Sequence, residues 1–143
     1  VADYGHGMLN EQVVDLLTKE ARFLAVNTQT NADNRGFNTL SKYSRADYAC
    51  VSENEIRLDV RSRRRDLRDI TLELKRKLSC EYILITQGQR GSLSYGHKED
   101  FCQTPAFTSR VVDRVGAGDG VIALTSLLVY QGAPWDIVGK AVY

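Results

Sequence analysis

Gly116-Ala117-Gly118-Asp119-Gly120 runs straight into Val121-Ile122-Ala123-Leu124-Thr125-Ser126-Leu127-Leu128-Val129, the most apolar stretch of the chain. Glycines at its head let the backbone turn tightly and approach a ligand closely. Residues 121–129 are apolar on nearly every side, which predicts a helix buried in the core. The N-terminus of such a helix presents unpaired N–H groups and a partial positive charge, a cradle suited to phosphate. A carboxylate placed there would repel phosphate. Asp119 makes sense if it takes a proton from a nucleophilic hydroxyl beside that phosphate. The other reading is a glycine turn with Asp119 as a plain helix cap, and a short glycine motif does not separate the two.

Outward from this turn the chain alternates strand and helix. Val111 and Val112 lead into it, and residues 92–95 and 100–103 alternate loosely, as paired antiparallel strands do. Residues 82–86 read as a strand closing on Gly88 and Gly91. Leu67, Ile70, Leu74 and Leu78 share one face of a helix over 66–78, and Ser52 can cap a shorter helix over 53–60. Residues 48–51 and 23–26 are short apolar runs, most simply buried strands. Residues 27–38 hold four Asn and one Gly and read as a long loop, of a kind that is often functional. Asn10 is placed to cap a helix carrying Val13, Val14, Leu16, Leu17 and Ala21. Residues 1–4 read as a strand end broken by Gly5 and Gly7. After the apolar helix, Gly132-Ala133-Pro134 ends it, with Pro134 in the first turn of a last helix. The order argues for an α/β fold, a mostly parallel sheet flanked by helices.

Composition narrows the function classes. The 143 residues suffice for one domain with a hydrophobic core. With 19 basic and 18 acidic side chains the net charge is +1, so no global charge points to nucleic acid or an anionic membrane. Cys50, Cys80 and Cys102 are odd in number and widely spaced, which indicates neither a disulfide framework nor a zinc site. A reducing cytoplasmic setting is expected. Neither a signal peptide nor a membrane span is visible. The absence of an initiating Met and the abrupt ends suggest a piece of a longer protein.

Asp113-Arg114-Val115-Gly116-Ala117-Gly118-Asp119 resembles the Asp-Thr-x-Gly-Ala-Gly-Asp signature of PfkB/ribokinase-type carbohydrate kinases. Three further segments follow the same pattern. Ile83-Leu84-Ile85-Thr86-Gln87-Gly88-Gln89-Arg90-Gly91 resembles the family strand that ends in Thr-x-Gly-x-x-Gly beside the nucleotide. Ser52-Glu53-Asn54-Glu55 falls where the family has Pro-Asn-Glu. Val1-Ala2-Asp3-Tyr4-Gly5-His6-Gly7 is similar to the Ser-Asp-Tyr-Gly-Lys-Gly segment of heptose kinases, the ADP-heptose synthase-like branch, that precede nucleotidyltransferase domains.

The resemblance implies a ribokinase-like fold and ATP-dependent phosphorylation of a hydroxyl on a sugar or sugar phosphate. It implies Asp119 as general base, with the N–H groups of Gly116, Ala117 and Gly118 facing the transferring phosphoryl group. Asn54, Thr86, Gly88 and Gly91 would lie along ATP. Asp113 would mark a monovalent-cation (K⁺) position, and Mg²⁺ would accompany the nucleotide. Residues 1–143 would form one partial domain lacking the family's N-terminal substrate and lid half, so this piece alone is expected to lack turnover. A homodimer and a fused nucleotidyltransferase domain are compatible with the resemblance.

The departures are specific. The family's Asn-x-x-Glu motif, counted from Asn54, would put its Glu at position 57, where this chain has Arg57; Glu55 is the substitute available for organising Mg²⁺. Arg114 replaces the usual Thr and reads as a substrate-phosphate contact or a solvated side chain. Asp3 reads as lining the sugar site or as capping a turn. His6 and His97 read as loop and surface residues. Arg57, Arg61, Arg63, Arg64, Arg65 and Arg68 are interleaved with Asp59, Asp66 and Asp69 and lack nearby aromatics, so a solvated face is favoured over a nucleic-acid patch. Two other functions remain open: a kinase for a hydroxymethyl group on a vitamin precursor, and a non-catalytic nucleotide-binding or regulatory module.

Overall fold

The structure is a computed structural model that describes residues 1–96, 100–107 and 116–141. Its sheet runs in chain order, β1 (Ala2–Asp3), β2 (Ala25–Thr28), β3 (Tyr48–Ser52), β4 (Tyr82–Thr86), β5 (Ser92–Tyr95) and β6 (Phe101–Thr104). The first four strands are parallel, and β5 and β6 each run antiparallel to the strand before. This is the mostly parallel sheet expected from the strand–helix alternation.

Helices α1 (Glu11–Glu20), α2 (Glu53–Asp59) and α3 (Leu67–Leu78) connect the parallel strands, and α4 (Ala117–Tyr130) and α5 (Trp135–Lys140) follow the hairpin. Successive parallel strands added in one direction with right-handed crossovers put their connections on one face. Side-chain alternation along β3 divides the core accordingly. Ala49 and Val51 join Val14, Ile56, Ile70 and Leu74 on one face. Tyr48 and Cys50 meet Ile122, Val129 and Val138 on the other. Each fully buried Leu or Ile contributes roughly 1.5–3 kcal/mol.

The caps follow the expected chemistry. Asn10 Oδ1 accepts from the Val13 N–H at 3.0 Å. Ser52 and Glu55 form a reciprocal capping box on α2, and Asp66 accepts from the Arg68 N–H at the head of α3. Leu67, Ile70, Leu74 and Leu78 are buried together, as their spacing required.

Four boundaries or faces differ from the sequence reading. Strand β2 is displaced two residues toward the C-terminus, because Asn27 and Thr28 are polar yet buried. The segment read as loop up to residue 38 continues into a 3-10 turn, Leu40–Lys42, and buries Leu40 and Tyr43. On α1 the core face is Val14 and Thr18, whereas Leu16 is exposed. A step of two residues turns a helix by about 200°, so Leu16 cannot share the Val14 face.

The fourth difference is α4. It buries Ile122, Thr125 and Val129, but Leu124 and Leu127 are 49% and 65% exposed. The helix packs on β2 and β3 with α5 beside it, and Leu124 and Leu127 lie on the side left open among the described residues, so it is not buried all round. Tyr48 and Thr125 join it to the sheet through a hydroxyl pair at 2.7 Å, with Thr125 Oγ1 donating to the Val121 carbonyl at 2.6 Å. Pro134 stands at the N-cap of α5, one residue before its first turn.

Candidate active site

The carboxyl ends of β1 to β4 open on a single edge, where ligands bind in open α/β sheets. Tyr4 follows β1, Gln29 follows β2, Ser52 ends β3 and Thr86 ends β4, with Ser52 and Thr86 directly paired in register. The head of α4 faces this edge. Its N-cap, Gly116, is left-handed at φ 78° and supplies no side-chain cap bond. Gly116, Ala117 and Gly118 are exposed there.

Asp119 is the third residue of α4 and is half-buried. Tyr4 Oη donates to its Oδ2 at 2.5 Å, and Gln29 Nε2 donates to its Oδ1 at 2.6 Å. Both carboxylate oxygens are therefore engaged by side chains from other elements. The hydrogen bond to Asp119 holds the Tyr4 phenol above its ordinary range, with desolvation and the Asp119 charge adding to it.

A cavity of about 200 Å³ lies beside this carboxylate, lined by Asn27, Gln29, Ser52, Glu55, Thr86 and Gly118, with Cys50 and Val51 as its floor. Asn27 is only 3% exposed. Its Nδ2 donates to the Cys50 carbonyl at 2.8 Å, while its buried Oδ1 has no partner among the described residues. An orphaned buried acceptor is costly, so a donor or cation is wanted at that spot. A neighbouring cavity of about 400 Å³ shares Ser52 and Glu55 and is walled by Thr30, Asn31, Arg35 and Asn54.

Glu55 stands between the two cavities. Its Oε1 accepts from the Thr30 N–H at 3.1 Å, and its Oε2 accepts from the Ser52 N–H and hydroxyl at 3.0 and 2.6 Å. Arg57 is turned elsewhere, donating to Glu53 at 2.9 Å and to the Arg65 carbonyl at 2.9 Å. Position 57 is thus committed to an ion pair, and position 55 lines the cavity.

Of the remaining candidates, Thr86 lines the smaller cavity and Asn54 the larger. Gly88 is exposed at φ 59° with open space around its Cα. Gly91 is buried, and a Cβ there would lie 1.9 Å from the Thr104 carbonyl oxygen, so its glycine is required by β6. The Asp3 carboxylate is taken up internally. It accepts from the Gly5 N–H at 3.0 Å and the Tyr43 hydroxyl at 2.7 Å, and it pairs with Lys42. That is the turn-capping arrangement. Asp113, Arg114 and His97 lie outside the described residues. Tyr4, Gln29 and Asn27 were not singled out by the sequence, although Tyr4 belongs to the Asp-Tyr-Gly segment and the other two open the Asn-rich stretch.

The arginine run is partly neutralised: Arg57 pairs with Glu53, Arg65 with Glu73, and Arg68 lies over the Phe101 ring. Among the described residues no group of three or more His, Cys, Asp or Glu could hold a metal ion, and no helix is long and apolar enough to cross a membrane.

With this geometry in place, the comparisons define the class. The model of the pfkB family carbohydrate kinases matches residues 9–136. The chain belongs to that family. It is 29% identical over 140 residues to bifunctional protein HldE of Nitrobacter winogradskyi, matching 95% of this chain and 28% of that protein. It is 27% identical over 144 residues to bifunctional protein HldE of Rhodopseudomonas palustris strain BisB18, matching 99% of this chain and 29% of that protein. The chain therefore spans under a third of the length of these curated relatives. Among solved structures, Escherichia coli phosphofructokinase-2 in complex with potassium superposes with TM-score 0.74 at 16% identity, over 92% of this chain and 42% of that one. Arabidopsis thaliana ribokinase complexed with ribose and ATP superposes with TM-score 0.69 at 18% identity, over 94% and 43%. These likenesses show the ribokinase-like fold.

Proposed function

We propose that this chain supplies the catalytic part of an ATP-dependent kinase that phosphorylates a hydroxyl of a sugar or sugar phosphate. The observation that carries the reading is Asp119, held at the uncapped glycine head of α4 beside a cavity at the carboxyl ends of the strands. Asp119 takes the proton of the attacking hydroxyl. The N–H groups of Gly116, Ala117 and Gly118 face the charge on the transferring phosphoryl group. Thr86 and Asn54 lie on the walls where ATP phosphates would run, with Gly88 at the exposed turn beyond β4.

The donor set fits a hard cation held mainly by phosphate. Glu55 and the orphaned Asn27 Oδ1 supply oxygen, which suits Mg²⁺, an ion that keeps several waters and takes few protein ligands. Mg²⁺ bound with the nucleotide would neutralise phosphoryl charge there. The potassium of phosphofructokinase-2 and the family motif together suggest K⁺ near Asp113. The HldE relatives are named bifunctional, which favours a second, fused domain; the resemblance of Asp3-Tyr4-Gly5 to the heptose-kinase segment favours a heptose or related sugar phosphate as acceptor and a nucleotidyltransferase as that domain.

The test is Asp119→Asn in the protein at its full natural length, assayed with ATP and a panel of five- to seven-carbon sugars and their phosphates. Turnover should fall by about 10²–10⁴-fold, the range for a general base, while ATP affinity stays within a few-fold. Turnover that survives the substitution would sink Asp119 as the base, and ATP binding without turnover in the unsubstituted protein would leave a nucleotide-binding module in place of the kinase.

A further inference from the structure

Asp119 is held by donors from two separate strands, and this arrangement is independent of any nucleotide contact. Tyr4 comes from the end of β1 and Gln29 from the end of β2, 115 and 90 residues away in the chain. We infer that Tyr4 and Gln29 are positioning residues that orient the Asp119 carboxylate for proton abstraction. The inference rests on the kinase reading, because it gives the pair a purpose only if Asp119 is the base.

The chemistry is that of a carboxylate with four acceptor sites, two on each oxygen. One donor on each oxygen fixes the plane of the group and leaves acceptor capacity for a substrate hydroxyl.

The two donors are not equivalent. Gln29 is half-buried and forms part of the cavity wall, with its Nε2 3.7 Å from where a Cβ on Gly118 would stand. It therefore bonds the carboxylate while lying in ordinary contact range of the α4 head. Tyr4 is 40% exposed and its ring stacks on His6 at 6.3 Å between centroids. Its backbone carbonyl accepts from Asn31 Nδ2 at 3.3 Å and from Asn34 Nδ2 at 2.6 Å. The Asn-rich segment thus braces Tyr4 from behind. This gives those asparagines a role in the site without contact to any ligand. Tyr4 bonds directly to Asp119; Glu55 and Cys50 line the adjoining cavity, and His6 stacks on the Tyr4 ring.

The experiment measures kcat and KM of the full-length protein with ATP and the panel of sugars and sugar phosphates. Tyr4→Phe, Gln29→Leu and the double variant are compared, each also on the Asp119→Asn background. Each deletes a donor to a charged group, so kcat should fall about tenfold per donor, with both KM values within a few-fold. On the Asp119→Asn background neither change should lower the residual rate further, because there is no base left to position. An unchanged kcat in Tyr4→Phe, which removes a single oxygen from an exposed ring, overturns the inference; so does an equal fall on the Asp119→Asn background, which marks a merely structural role. If Asp119→Asn itself keeps full turnover, the base reading fails and the positioning role falls with it. If Asp119→Asn is inactive and Tyr4→Phe and Gln29→Leu keep full kcat, only the positioning role falls.

Discussion

Replacing Gly91 by Ala separates a glycine needed by the backbone from one left open for a ligand. The turn from Gly88 to Gly91 contains both kinds. At Gly91 the backbone is at φ 88° and ψ −137°, a region that residues with a Cβ avoid. Holding Ala there costs about 1–3 kcal/mol. The added carbon would also meet the Thr104 carbonyl oxygen at 1.9 Å and the Ala106 nitrogen at 2.8 Å. The first distance is about 1.4 Å short of an ordinary C···O approach. The obstacle is backbone, so the end of β6 must move away from β5, where Ser92 and Thr104 are paired. Forcing such a shift costs about 1–3 kcal/mol more. The expected loss is about 2–6 kcal/mol, a large share of the 5–15 kcal/mol that holds a typical domain. Gly88 is the internal control: its φ is 59° and nothing lies within 4 Å of an added Cβ, so Ala there costs about 1–2 kcal/mol. Both variants are measured by guanidinium denaturation of the full-length protein at matched slope, with ATP affinity measured beside it. Equal midpoints for the two would refute the backbone argument. A Gly91→Ala protein of normal stability and lost ATP affinity would move Gly91 to the nucleotide.

Three further outcomes follow from the hydrogen-bond pattern. Burial raises the Asp3 carboxyl, but hydrogen bonds from Lys42, Tyr43 and the Gly5 N–H, with the Lys42 charge, outweigh it and leave it below its ordinary value of 3.8. Its charge therefore contributes stability above pH 3.8, and that contribution is lost as pH falls through the lower folded value; Asp3→Asn should flatten the acid limb of the stability curve and cost about 1–3 kcal/mol at pH 7. An unchanged acid slope would count against the pairing. Ser52→Ala removes the cap of α2 and should cost about 1 kcal/mol by denaturation, and a loss below a few tenths would show that the capping box is not holding the helix. Glu55→Gln should raise the Mg²⁺ concentration needed for half-maximal turnover, whereas Arg57→Ala should leave it unchanged and alter stability by under about 1 kcal/mol; the reverse pattern would return the metal-organising role to position 57.

Much of the fold was legible because apolar periodicity and caps agreed. On α3, Asp66 and four leucine or isoleucine positions pointed to the same face, and all four are buried. Strand β4 matched its expected span because its apolar run ends at Thr86, where the sheet ends. The helix after the glycine turn was legible as a helix but not in its burial. An apolar sequence reports that a face wants cover, and α4 has cover on one side among the described residues. On α1, Thr18 won a core place over Leu16 because it stands four residues from Val14, on the same face, whereas Leu16 stands two away; Thr18 satisfies its hydroxyl by donating to the Asp15 carbonyl at 2.9 Å. Counting along the motif offered Glu55 only as a substitute for a missing Glu at position 57. A count from Asn54 leads to Arg57, whereas the capping box fixes Ser52 at the strand end and Glu55 three residues on, facing the cleft.

The boundary error on β2 has a cause that bears on the site itself. A strand read from hydropathy stops at its first polar residue, which put the end of this one at Val26. The ladder continues, pairing Ala2 with Asn27 and Asp3 with Thr28. Buried polar residues at the carboxyl end of a parallel strand are tolerable only if something satisfies them. Asn27 Nδ2 is satisfied by the Cys50 carbonyl, and its Oδ1 is left for whatever enters the cavity. Gln29, two residues on, reaches Asp119. The residues that made β2 look too short are therefore the ones that face the cleft. At the working edge of such a sheet, the polarity that ends a strand in the sequence marks the chemistry that the strand positions.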